Sequence, residues 1–288
     1  MKQTNRKMRK ILSLALAALF SCAAFGQAQI KTMKMKIADF PEKTTKVVLT
    51  GNSMTDARFR NIVKEVWTIS PFEFCTLDEY ENLKSNPDYY FLMLVKGQFS
   101  KESGRGNEFL SLVKGGVGAS EGINGLFNVV DVPFRAAEDP DGREFILLPA
   151  LLDIIQDHVL KSMDKDLEGY SGLSNYNINL AKSKGKRLVF AEQDLAADVL
   201  PSVRALYFKG GMEAMDVDDA DDLFYDHSEN TLVSFVVAPT DPQNGSYCYK
   251  LLIDAGTHTL YYFRKHRISK KYGAGFLTED IKRISQAQ

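Results

Sequence analysis

Three cysteines and four histidines in 288 residues are too few for a disulfide-stapled miniprotein, a multi-cysteine zinc module or a histidine-rich metal site. Long apolar runs are equally scarce. The stretch from Ile11 to Phe25 falls short of the ~20 residues a bilayer core requires, and no later segment reaches that length without charge. Hydrophobic residues at 44% and charged ones at 25% match folded soluble proteins, which disfavours disorder, coiled coil and collagen-like structure. The chain has the length for one large or two modest domains.

The amino terminus reads as a secretory signal. Lys2, Arg6, Lys7, Arg9 and Lys10 form a cationic head, Ile11 to Phe20 an apolar stretch, and small residues at 24, 26 and 28 suit a peptidase that leaves Gln27 or Gln29 first. A second reading uses Leu19-Phe20-Ser21-Cys22 as a lipoprotein box, with Cys22 acylated and the protein held at the outer membrane. The expected location is periplasmic or secreted, with an outer-membrane lipoprotein as the alternative, and in neither case does the mature chain carry a span. The leader removes five of 36 basic residues and no acid, so 31 bases face 37 acids and the charge falls near minus six. Nucleic acid, which needs a clustered positive surface, is not an expected partner. The one dense basic run, Arg264-Lys265-His266-Arg267 with Lys270-Lys271, alternates along a predicted strand and suits a solvated sheet edge.

Residues 47–95 match 188–236 by residue class at a nearly constant shift of 141. Val47-Val48-Leu49 falls on Leu188-Val189-Phe190, Val66-Trp67 on Tyr207-Phe208, Phe74 on Met215, and Phe91-Leu92 on Leu232-Val233. Leu112-Val113 then meets Leu252-Ile253 at 140 and Leu126-Phe127 meets Leu260-Tyr261 at 134, so the first copy carries a longer hairpin loop. Insertions confined to loops are what a duplicated domain permits. The expected fold is α/β: two tandem similar domains, each a mixed sheet built as strand-helix-strand-helix-strand, then a β-hairpin and a closing helix. The division is 1–28 signal peptide, 29–167 first repeat, 168–186 linker and 187–288 second repeat. Ser53 or Thr55 is the expected cap of the first helix. Pro201 implies that its counterpart starts near Asp198 or kinks.

These patterns resemble the envelope-protein fold of the amino-terminal domain of the Tol-Pal translocation protein B and the periplasmic domain of curli-type secretion channel lipoproteins. Asn86-Pro87-Asp88-Tyr89-Tyr90-Phe91-Leu92 is similar to that fold's acidic-aromatic entry to its third strand, after Phe72 to Leu77 as strand two. Leu251 to Tyr261 is similar to its hairpin, and Phe276 to Ile284 to its closing helix. The resemblance implies a non-enzymatic envelope scaffold and carries no catalytic or binding residues with it.

Motifs with catalytic overtones have competing structural readings. Gly118-Ala119-Ser120-Glu121-Gly122 has the spacing of a nucleophile elbow, but a strand follows where an elbow needs a helix, so a flexible hairpin loop is expected. The acids Asp216, Asp218, Asp219, Asp221 and Asp222 lack the alternation of a calcium loop and suit a solvated helix start. His258 and His266, about 26 Å apart on an extended strand, are expected at the surface, and Asp157-His158 has no placeable nucleophile. Gly104-Arg105-Gly106 and Gly115-Gly116-Val117-Gly118 precede a strand rather than a phosphate-binding helix. Tyr89, Tyr90, Tyr261 and Tyr262 suit core and cross-strand packing. Cys75 and Cys248, the mature thiols, are expected buried and separate. No catalytic residue, metal site or cofactor is assigned. The functional expectation is an exported binding or assembly module of the bacterial cell envelope whose partner is an envelope protein, with an exported hydrolase as the alternative.

Overall fold

The computed structural model describes residues 33–97 and 106–288. The expected signal sequence, Cys22 and the pair Gly104-Arg105 lie outside them. A short helix α1 (Met33–Ile37) leads into the first copy: β1 (Thr44–Val48), α2 (Ser53–Val66), β2 (Phe72–Cys75), α3 (Leu77–Leu83), β3 (Tyr89–Gly97), β4 (Asn107–Lys114), β5 (Phe127–Ala136) and α4 (Glu144–Asp164). After α5 (Asp166–Ser171), the second copy follows with β6 (Arg187–Ala191), α6 (Pro201–Tyr207), β7 (Met212–Met215), α7 (Val217–Tyr225), β8 (Thr231–Val237), β9 (Tyr247–Asp254), β10 (Leu260–Arg267) and α8 (Thr278–Ser285).

Each copy builds a five-stranded mixed sheet, ordered β2-β1-β3-β4-β5 in the first and β7-β6-β8-β9-β10 in the second. The first three strands of each are parallel and the last two add an antiparallel hairpin. The fold is thus two similar mixed α/β domains. Strand pairing refines the residue matching, because a one-residue slip turns every side chain to the other face. Val47 pairs with Leu92 and Leu188 with Leu232, so Leu92 and not Phe91 is the equivalent of Leu232. Val47 also pairs with Phe74, whereas Leu188 pairs with Met212, three residues short of the expected Met215. The connection shortened: α2 has 14 residues and α6 has seven.

Local chemistry places the helix starts differently from expectation. Asn52, not Ser53 or Thr55, caps α2, its carboxamide oxygen accepting from the Met54 and Thr55 N–H groups at 3.2 and 3.1 Å. Helix α6 begins at Pro201 itself rather than near Asp198, because the first helical position leaves its N–H without an intrahelical partner in any case. The Gly/Ser/Asn-rich segment expected to be a linker is folded: a 3-10 stretch over Gly172–Lys182 lies along β10. There Asn177 exchanges two hydrogen bonds with the Phe263 backbone (2.9 and 2.8 Å), and Asn179 donates to the Leu260 carbonyl at 2.8 Å. These amides stand in for a neighbouring strand and cover the sheet edge.

The two copies stack front to back. Helices α2 and α4 bury Phe59, Val63 and the Leu/Ile face of α4 against Val47, Leu92 and Leu112 of the first sheet. The opposite flank of that layer meets Val233, Phe235, Leu251 and Ile253 of the second sheet, beside Ala220 and Phe224 of α7. Helices α6 and α8 cover the far side of the second sheet through Val203, Tyr207, Ile281 and Ile284. One apolar core therefore runs through both copies, and each fully buried leucine of α4 contributes about 2 kcal/mol of transfer free energy to it.

Candidate functional site

The remaining sheet face, the outer one of the first copy, carries α3 at one side and a groove at the other. Thr76 and Glu79 form a capping box that starts α3. Its Tyr80 ring meets Phe91 edge-on at 5.0 Å. The longer hairpin loop folds as two 3-10 turns, Val117–Glu121 and Ile123–Gly125. It packs Ala119, Ile123 and Leu126 onto the same face. Gly118 and Gly125 permit this: a Cβ on either would lie 2.0 Å from the other's carbonyl oxygen.

Beside α3 the groove has a volume of about 1580 Å³ and is lined by both copies. Met93, Val95 and Val113 give its floor an apolar half. Ser111, Asn128 and Asp131 give it a polar half, where the Ser111 hydroxyl donates to Asp131 at 2.6 Å and the Asn128 amide donates to the same carboxylate. The second copy supplies Phe263, Arg264, Lys265 and Arg283 along the opposite wall. Two contacts lock the copies at this end: Asn107 donates to the Tyr247 carbonyl at 2.9 Å, and Phe109 meets Tyr249 edge-on at 5.3 Å. The lining holds five basic residues against three acidic ones, although the sequence from residue 29 onward is acidic.

A smaller cavity of about 400 Å³ opens between the copies, and beneath it lies a buried ionic network. Arg143, 6% exposed, donates through Nη1 to both Asp194 oxygens (2.9 and 3.0 Å) and through Nε to both Asp221 oxygens (2.7 and 3.0 Å). Its Nη2 donates to the Ser234 carbonyl at 2.9 Å, while the Ser234 hydroxyl donates to Asp194 at 2.6 Å. Burial lowers the guanidinium's pKa, but the two carboxylates outweigh it and leave that pKa raised. Asp221 is raised, because its own burial outweighs Arg143.

A second network sits under α8. Lys250 and Asp280 are both 0% exposed and paired. Asp280 also accepts from Tyr262 Oη (2.6 Å), Arg264 Nη1 (2.8 Å) and the Leu277 N–H (2.9 Å). Burial would raise its pKa, yet Lys250 and these donors hold it below the ordinary carboxylate value. Burial pushes the Tyr262 hydroxyl up, with Asp280 adding to it.

The structure redistributes the residues singled out in the sequence. Ser120 is exposed on a 3-10 turn, its hydroxyl donating to the Val117 carbonyl at 3.4 Å. The acidic run does begin a helix, with Asp216 capping α7 through the Asp218 N–H. Asp221, however, is not solvated: it faces inward to Arg143. His258 is not a free surface residue either, since Asp153 of α4 accepts from its ring Nδ1–H at 2.7 Å and the ring stacks on Phe224. His266 on β10 lies by the Gly273 carbonyl at 2.8 Å, and burial, aided by Lys250, lowers its pKa. His158 is buried against Tyr176 on one flank of α4, while Asp157 on the solvent flank pairs with Lys161. Tyr90 and Tyr262 are core residues whose hydroxyls reach Asp39 and Asp280. Cys75 and Cys248 are buried and free, burial pushing each thiol to about 11.

Reading the sequence missed Arg143, Asp194, Lys250 and Asp280. Asp280 had a local signal, an acid three residues after Leu277 at a helix start. Arg143 had none, since its partners lie 51 and 78 residues away. Among the described residues no helix is long and apolar enough to cross a membrane, and no group of three or more His, Cys, Asp or Glu is arranged to hold a metal. No family model, curated protein or solved structure matches this chain.

Proposed function

We propose that this protein is an exported, non-enzymatic binding module of the bacterial cell envelope and that it holds an envelope protein in the groove over its first sheet. The groove carries this reading: at about 1580 Å³ it exceeds the roughly 300 to 1,000 Å³ of small-molecule sites, and both copies build its walls. A polypeptide is the ligand that uses such a span. The leader's cationic head and short apolar run support export, and the resemblance of the strand and hairpin segments to Tol-Pal and curli-type envelope domains supports the compartment.

The sheet edges are poor alternatives for binding. β5 carries Pro133, bulges against β4 and the outward Asn128 and Asp131. β10 is covered by Asn177 and Asn179, and β2 and β7 have four residues each. The test is site-specific photocrosslinking in the native envelope, with the photoreactive residue at Asn128 or Lys265 in the groove, or at Glu213 on β7 as control. A discrete adduct from both groove positions and none from Glu213 is the expected result. Adducts from neither groove position would overturn the reading.

A further inference from the structure

We infer that the groove is a helix seat and that its occupant is an acidic amphipathic helix of the partner protein; the inference rests on the binding-module reading and specifies its ligand. The argument comes from the duplication. In both copies the second connecting helix, α3 or α7, lies on the sheet face opposite the closing helix, and a space remains beside it over the third, fourth and fifth strands. In the second copy that space is filled by α4. Val233 and Phe235, paired with Ile253 and Leu251, meet the helix there. In the first copy the equivalent pairs are Met93 with Ser111 and Val95 with Phe109, and the space beside α3 is the groove. A cylinder about 10 to 12 Å across with the groove's volume is roughly three helical turns long.

The floor sets the character of the occupant. Where the second sheet offers Ile253 to α4, the first offers Ser111, and Asn128 and Asp131 continue the polar half on β5. A helix seated there has one apolar face over Met93, Val95 and Val113 and polar sides, unlike α4, which is apolar on opposite flanks. The half-polar floor suits an occupant that comes and goes rather than a permanent core layer. The far wall, with Lys265 and Arg283 exposed at the rim, favours acidic flanks through electrostatic complementarity. A second copy does not fit the description. Its own α4 is enclosed, and the outer side of α8 presents Glu279, Lys282 and Arg283 to water.

The probe is a stapled 14-residue synthetic helix, with leucines at i, i+3, i+4 and i+7 spacing and glutamates elsewhere, titrated onto the exported full chain by fluorescence anisotropy. The expected result is saturable binding, weakened about tenfold both by scrambling the leucine spacing and by Lys265→Glu with Arg283→Glu, and reduced by salt. A photoreactive leucine in the peptide should mark α3 and β3 to β5. Equal binding of the scrambled peptide, or marking of α7 and β8 in the seat of α4, would overturn the inference. Failure of every peptide while the groove still crosslinks in the envelope sinks the helix seat and leaves the binding module standing; loss of both removes the module itself.

Discussion

The helix that closes the first copy is buried on opposite flanks, whereas the one that closes the second shows half its surface to water. α4 is an internal layer: Leu147, Leu148, Leu151, Leu152, Ile154 and Ile155 point in directions that between them meet both sheets. α8 is an end cap, with Ile281 and Ile284 inward and Glu279, Lys282 and Arg283 outward. Its buried flank carries Asp280, tied to Lys250, Tyr262 and Arg264. The internal helix is packed by apolar side chains from either side, and Arg143 at its start ties it to the second copy. An end helix packed from one side only is fastened by a buried charge pair at its first turn.

The ionic networks give the largest handle on that contrast. Arg143→Met leaves Asp194 and Asp221 buried without their cation and should cost about 3 to 5 kcal/mol, read as a drop in the urea midpoint. Replacing both members of the α8 pair, Lys250→Met with Asp280→Leu, removes a cation and an anion together and should cost less, about 1 to 3 kcal/mol, because what remains is the buried Tyr262 hydroxyl deprived of its acceptor. If Arg143→Met cost no more than the double replacement, the network between the copies would be no fastening at all.

Core truncation separates an internal layer from a cap. Leu151→Ala should cost about 2 to 5 kcal/mol, and because the core is shared it should shift the fluorescence of Trp67, the one tryptophan of the chain, together with the far-ultraviolet circular dichroism. Ile281→Ala should cost a similar amount or less. Its effect should fall more on the dichroism than on Trp67, which lies in the first copy. Coincident transitions in both variants would mean that the copies unfold as one unit.

A smaller effect is expected at the covered edge. Asn177→Ala removes two hydrogen bonds to Phe263 and should cost about 1 to 2 kcal/mol. Concentration-dependent association, followed by light scattering, should appear with it. The smallest is the pH response of His266. Its folded pKa lies below the ordinary value through burial, so its contribution is present above about pH 6.5 and is lost as the pH falls through the folded value. Between about pH 7.5 and pH 5 the urea midpoint should fall further in the native chain than in His266→Gln; parallel slopes would count against it.

Much of the fold was legible because its determinants are local. Apolar runs at Thr44–Val48 and Tyr89–Gly97, helical spacing at Phe59 and Val63, and turn residues at 115–118 mark elements that neighbouring residues dictate. Class matching across a shift of 141 then disclosed the duplication, though it placed Phe91 where Leu92 belongs. Two adjacent apolar residues on a strand buried on both faces are interchangeable by class, and only pairing decides which face each takes. The groove was not legible. Met93, Ser111, Asn128 and Lys265 are unremarkable in sequence and become one surface through the sheet and the stacking of the copies.

By itself the sequence determined the elements, their order in each copy and the existence of two copies, since periodicity and turn chemistry act over a few residues. Only the tertiary structure decided that the copies stack front to back, that Arg143 reaches Asp194 and Asp221, and that α4 fills one sheet face while, among the described residues, no helix fills the space beside α3 on its equivalent. Those outcomes depend on contacts between residues 50 or more apart in the chain. They are settled by which faces must leave water together, and no local pattern records that.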